Sequence, residues 1–142
     1  MHKIQIACPI GLIDLSLTRG LEEYLKAIHR IQRAKGEVRV KDLSEAMKVR
    51  AASASEAVRR LARLGLVEHE SYGSVKLTVE GLRRARELEE RFLSLKLFLE
   101  RVLGVEPAKA EEESCALEHF ISIEAARKLA KLVEQRAGAR RP

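Results

Sequence analysis

The sequence predicts a mainly α protein: a small three-helix unit closed by a β hairpin, followed by a helical extension. Three observations lead there. Apolar residues recur at helical spacing through most of the chain, a run of alternating residues (LVEHESYGSVKLT) interrupts them once, and Gly36, Gly65 and Gly104 stand where periodic segments stop.

From about Thr18 to Ala34, the residues Leu21, Tyr24, Leu25, Ile28 and Ile31 form one apolar stripe, and Gly36 ends the helix. A short helix is expected from Lys41 to Met47, with Leu43, Ala46 and Met47 facing inward. The segment VRAAS then turns into a third helix, from Ser53 as N-cap to Leu64, burying Ala54, Ala57, Val58 and Leu61 before Gly65 stops it. Two short runs flanking a turn at Ser71 to Ser74 read as a hairpin. A long helix follows from Val79 to Leu103 with Leu82, Leu88, Phe92, Leu95, Leu99 and Val102 on its apolar positions, and Gly104 terminates it. Helices over Pro107 to Phe120 and Ser122 to Gln135 complete the set. The expected division is an extension over 1–17, a first domain over 18–80, a helical domain over 81–136 and a basic tail over 137–142.

Helix, short helix, turn, helix and hairpin, in that order, make a winged helix-turn-helix domain, whose third helix enters the major groove of DNA. Charge placement agrees. The chain carries a net charge of +6, and between Lys48 and Arg63 five basic residues face the single acidic Glu56, a local excess of about +4. Residues early in such a helix reach base edges and later ones reach phosphates. Arg50, Ser53, Ser55 and Glu56 are therefore the candidate groove-facing residues, and Arg59, Arg60 and Lys76 the candidate phosphate contacts. A solvated basic helix face is the bland alternative, weakened by the hairpin that follows.

Composition narrows the remaining classes. With 46% hydrophobic and 34% charged residues the 142-residue chain can bury a core under a charged surface. Aromatic residues make up 4% with no Trp, which disfavours holding single-stranded nucleic acid by base stacking. Two distant cysteines, Cys8 and Cys115, fit a reducing compartment, and a cytoplasmic location is expected. The N-terminal apolar stretch from Ile4 to Leu17 is broken by Pro9, Gly11 and Asp14, so no membrane span or signal sequence is expected.

The most specific chemistry lies in SCALEH. Cys115, Glu118 and His119 fall at i, i+3 and i+4 of a predicted helix and share one face. Thiolate, carboxylate and imidazole suit a borderline transition ion such as Fe(II), Mn(II), Co(II), Ni(II) or Zn(II) and not Ca(II) or Mg(II). The competing reading of those three residues is a small buried Cys beside an ordinary Glu-His pair. His29 reads as a core-edge residue, His69 as a wing residue, and Cys8 with His2 as a weak further pair.

The chain from about Leu21 to Gln135 resembles the diphtheria-toxin-repressor-like family of iron- and manganese-dependent transcription regulators. The resemblance rests on LEEYLKAIHRI, ASASEAVRRLARLGLV, the hairpin ending KLTVEG, LGVEP and CALEHFIS, in this order and spacing. It implies a main metal site of Glu23, Cys115, Glu118 and His119, a homodimer, and repression at a palindromic operator of double-stranded DNA. Fe(II) is the first-choice ion and Mn(II) the second, with Zn(II) or Co(II) binding in vitro. A carboxylate from the first helix and a face of a later helix would together join the two domains, so that metal presets the spacing of paired reading heads. Apolar Leu117, Phe120, Ile121, Ile123, Ala126, Leu129 and Leu132 are the expected dimer seam.

Three positions depart from the family pattern. Phe92 and Lys96 stand where members place a His and an acidic residue on the long helix, and Lys26 where manganese-type members have a further carboxylate, so a two-metal cluster is not expected. The chain is expected to be a short form of the family, without the SH3-like domain of longer members. These departures sustain an alternative: a metal-independent dimeric winged-helix protein with a degenerate site. A metallohydrolase using Glu118 and His119 has little to support it, because no nucleophile pair or phosphate loop accompanies them, and no catalysis is expected.

Overall fold

A computed structural model describes residues 17–70 and 73–139. The expected N-terminal extension, including His2 and Cys8, lies outside the described residues up to Leu17, as do residues 140–142 of the basic tail and residues 71–72 of the hairpin.

Six helices and a small sheet follow one another as α1 (Arg19–Lys35), β1 (Val38–Arg39), α2 (Val40–Met47), α3 (Ala51–Arg63), β2 (Val67–His69), β3 (Ser74–Leu77), α4 (Val79–Arg101), α5 (Pro107–Leu117) and α6 (Ile123–Ala139). Helix α1 starts where Thr18 Oγ1 accepts from Leu21 N at 3.3 Å. It ends at Gly36, whose φ of 83° an L side chain adopts only under strain. Leu25 and Ile28 are fully buried from the expected stripe.

Between α2 and α3 the chain passes through Lys48, left-handed at φ 55°, and Ser44 Oγ donates to Val49 O at 2.6 Å, closing the turn. The helix after it begins earlier than expected. Arg50 is the N-cap, its carbonyl accepting from Ser53 N and Ala54 N, so Ser53 is a first-turn residue and does not cap. Ala54, Ala57, Val58 and Leu61 are buried as expected, whereas Ala46 on α2 is exposed. Eight residues make little more than two turns, and Leu43 alone among them reaches full burial.

The wing contains a strand that the sequence did not signal. Strand β3 lies between β2 and β1, antiparallel to both, with Val38 opposite Val75 and Val67 opposite Leu77. Thr78 then links wing to long helix: its hydroxyl accepts from Gly81 N at 3.0 Å and donates to Gly65 O at 2.7 Å. One core runs from Leu17 and Leu21 through Leu43, Val58 and Leu61 to Ala85 and Leu88. Further along α4, Leu95 and Leu99 are buried with Ala110 of α5 and Ala126 and Val133 of α6. Helix α4 thus belongs to both halves of the molecule and sets their relation.

Candidate metal centre and nucleic-acid interface

Helix α5 begins with Pro107 at its first turn and gives way to a turn after Leu117, where Phe120 N donates to Leu117 O at 3.0 Å. Glu118 is the C-cap and His119 sits in that turn. Side chains leaving this turn meet the flank of α1. His119 Nε2 lies 2.5 Å from Glu23 Oε1 and 3.4 Å from Glu118 Oε1, and its Nδ1 lies 3.6 Å from Glu22 Oε1.

Glu23, Glu118 and His119 each offer one ligand atom, and these atoms lie within 4.8 Å of one another. The expected fourth member, Cys115, stands outside this group. Cys115 lies within α5, whereas His119 lies past its end, in the turn. The Cys115 thiol is free, half-buried and pushed upward by burial, against the positive charge of Lys26.

Burial and charge shape the group. Glu118 is fully buried, and burial pushes its carboxyl above the usual carboxylate range although the hydrogen bond and charge of Lys26 pull it back. The hydrogen bond with His119 holds Glu23 below its ordinary value despite partial burial. For His119, burial disfavours the charged ring, but the nearby carboxylate of Glu22, the hydrogen bond with Glu23 and the charge of Glu118 outweigh it and push it up to about 9. Glu118 Oε2 and His119 Nδ1 are buried without hydrogen-bond partners. An unpartnered buried carboxylate oxygen is costly unless something positive takes it. Two carboxylates and an imidazole are a donor set suited to a divalent transition ion, so the residues fit one.

Two neighbours were not counted among the expected ligands. Lys26, buried in α1, donates to Glu118 Oε1 from Nζ and lies 5.4 Å from the centroid of the Phe92 ring. Glu22 approaches His119 from the same helix. Residues 22, 26 and 29 follow one another at i, i+4 and i+7 beside the apolar stripe, the signal that this flank faces protein. His29 is buried and 3.7 Å from Glu89, consistent with a core-edge role, and Lys96 pairs with Glu100 at 3.7 Å.

The candidate DNA-binding residues lie on one side of α3 and on the wing. Because Ala54, Ala57, Val58 and Leu61 turn inward, Arg50, Ser53, Arg59 and Arg60 are exposed, and Ser55 is half-buried. Glu56 is exposed but engaged with its own helix, 3.2 Å from Arg59 and 3.4 Å from Arg63. Lys76, on β3, is exposed and 3.9 Å from Glu70.

Comparison with known proteins gives two adjoining family matches. Residues 16–75 match the iron dependent repressor N-terminal DNA binding domain, and residues 78–137 match the iron dependent repressor metal binding and dimerisation domain. The HTH-type transcriptional regulator MntR of Lysinibacillus sphaericus is 29% identical over 117 residues, covering 82% of this chain and 84% of the relative. An uncharacterized HTH-type transcriptional regulator of Methanocaldococcus jannaschii is 28% identical over 120 residues, covering 84% and 96%. Among solved structures, a manganese-dependent transcriptional repressor in complex with manganese superposes with a TM-score of 0.71 at 34% identity, over 80% of this chain and 52% of that one. IdeR of T. acidophilum gives 0.66 at 25% identity, over 78% and 52%. The chain therefore spans about half the length of those two solved proteins. With a winged helix-turn-helix, a helical second domain and both family matches in register, the chain belongs to the diphtheria-toxin-repressor-like family of metal-dependent transcriptional repressors.

Proposed function

We propose that the protein is a homodimeric repressor whose affinity for a palindromic operator is raised by one divalent ion held by Glu23, Glu118 and His119. The observation behind this reading is the convergence of a carboxylate from α1 with two donors from the turn after α5. An ion on those atoms favours the arrangement in which the DNA-binding unit and the helical extension are joined, and it shifts the equilibrium by its preference for that arrangement. Cys115, the remaining member of the expected four, is electrostatically coupled to Glu23 and Glu118 and is the further donor within the extension. Fe(II) and Mn(II) are the candidate ions. A set of two carboxylates and one imidazole moves the balance toward Mn(II), because oxygen ligands suit it better than thiolate does. Exposed Leu117, Phe120 and Leu132, with Leu93 of α4 and Leu103 just past its end, supply the apolar surface proposed as the dimer seam.

The test is recovery of the DNA fragments that the protein selects from a random pool, followed by titration of the selected duplex with and without Fe(II) or Mn(II) under anaerobic conditions. A selected palindrome bound more tightly with metal supports the reading; equal affinity without metal defeats the metal-dependent part. On that duplex, Arg60→Ala is expected to weaken specific and non-specific binding alike and to lower the slope of log affinity against log salt by about 1, the signature of one lost phosphate contact.

Metal affinity should depend on pH through His119. The ring, pushed up to about 9, is protonated in the metal-free protein at neutral pH, and a metal ion requires it neutral. Calorimetric titration with Mn(II) is expected to show roughly tenfold tighter binding per pH unit from 7 to 8, with proton uptake by the buffer. The sign for metal-free stability is opposite. A raised imidazole value contributes fully below the ordinary 6.5, and that contribution is lost as pH rises through about 9.

A further inference from the structure

The buried Lys26 has no place in a site built only to collect ligands for an ion. A lysine side chain 4% exposed is rare without a partner, and this one reaches across from α1 to a carboxylate that is itself fully buried. The pairing is one-sided. Lys26 takes Glu118 Oε1, while Glu118 Oε2 stays buried without a hydrogen bond. The Phe92 ring, 5.4 Å from Nζ, adds a face on which a cation rests favourably and offers no donor to any ion.

We propose that Lys26 is a built-in tether: its side chain ties Glu118, and through it the turn after α5, to α1 without a metal ion, leaving Glu118 Oε2, Glu23 and His119 to take a single divalent ion. The charges are consistent with one ion. Glu22, Glu23 and Glu118 bring three negative charges to the group and Lys26 returns one, so with His119 neutral a single divalent ion balances the remainder. A second ion on Glu118 would have to displace a buried ammonium from its carboxylate and leave that ammonium buried without a partner. In the metal-free protein α1 and the turn after α5 are consequently joined both by the Lys26–Glu118 pair and by the Glu23–His119 hydrogen bond, and a metal ion would replace the second of these ties while Lys26 maintains the first. The single-ion half of this statement rests on the metal-binding reading above; the tethering half does not.

The test is hydrogen exchange on metal-free protein, read at the amides of Glu118 and Phe120, which are bonded to Ser114 O and Leu117 O within the tethered turn. Lys26→Met removes the charge and keeps the length; Lys26→Arg keeps the charge. Exchange at those amides is expected to be at least tenfold faster in Lys26→Met than in the unaltered chain, and to return toward the original rate in Lys26→Arg, while amides of α3 remain unchanged. Equal exchange in all three proteins overturns the tether, and so does acceleration that Lys26→Arg fails to rescue. Separately, Mn(II) counted by native mass spectrometry is expected at one ion per protomer. Two ions per protomer in the unaltered chain overturn the single-ion half. If no Mn(II) binds while Lys26→Met still loosens the turn, the metal-binding reading fails and the tether stands.

Discussion

Replacing His119 by Ala is expected to abolish the stimulation of DNA binding by Mn(II), a loss of roughly 5- to 150-fold if the coupling has the size usual for allosteric effectors. The imidazole is 1% exposed and lies within 3.4 Å of both Glu23 and Glu118, so it closes the polar link between α1 and the turn after α5. Without it the remaining two carboxylates hold an ion weakly, and the ion no longer prefers the joined arrangement. Removing a buried ring also leaves Glu22 and Glu23 facing a void, so loss of fold must be kept distinct from loss of coupling. His119→Gln serves this purpose, because an amide still donates to Glu23 but ligates poorly. Both variants are expected to melt as cooperative proteins and to bind the selected duplex with the affinity of the metal-free chain, with or without Mn(II), in an anaerobic anisotropy titration. Full stimulation retained in both variants removes His119 from the coupling.

The parts of the fold that could be read in the chain are those decided by neighbouring residues. Thr18 and Gly36 delimit α1, Gly65 follows α3 and Gly104 follows α4, because caps and left-handed positions act within one turn. Strand β1 has only Val38 and Arg39, too few for alternation to appear, and it exists because β3 offers an edge to pair with. The start of α3 shifted for a related reason: Ser53 is a good capping residue, but Arg50 already lies in extended backbone and its carbonyl begins the helix. In the site, residue types identified Glu118 and His119, whereas Glu23, 96 positions from His119, was supplied by family resemblance and not by spacing. Lys26 was visible as a departure from that pattern. Its pairing with Glu118 was not, since a sequence shows a lysine and cannot show which carboxylate shares its burial.

Gly81→Ala is expected to destabilise the protein by about 3 kcal/mol, lowering the melting temperature by on the order of 10 °C. Helix propensity alone predicts the reverse, a gain of about 1 kcal/mol, because Gly81 lies within the first turn of α4, where Ala is the better helix former. The difference lies in what a methyl group would meet. A Cβ at this position falls 1.9 Å from Leu66 O, 2.9 Å from Leu66 C and 3.3 Å from Leu66 Cα. These are backbone atoms with no rotamer in which to withdraw. Leu66 O also accepts from Thr78 N at 3.1 Å, and Thr78 in turn donates to Gly65 O and caps α4 through Gly81 N, so a shift that admits the methyl strains all three bonds. Leu66 leads directly into β2, and α4 carries the second half of the core, so displacement here moves the wing relative to the helical extension. Thermal unfolding of Gly81→Ala followed by circular dichroism decides the sign: a lowered midpoint supports close backbone approach as the reason for glycine, and a raised one shows that α4 can slide away from Leu66 without loss.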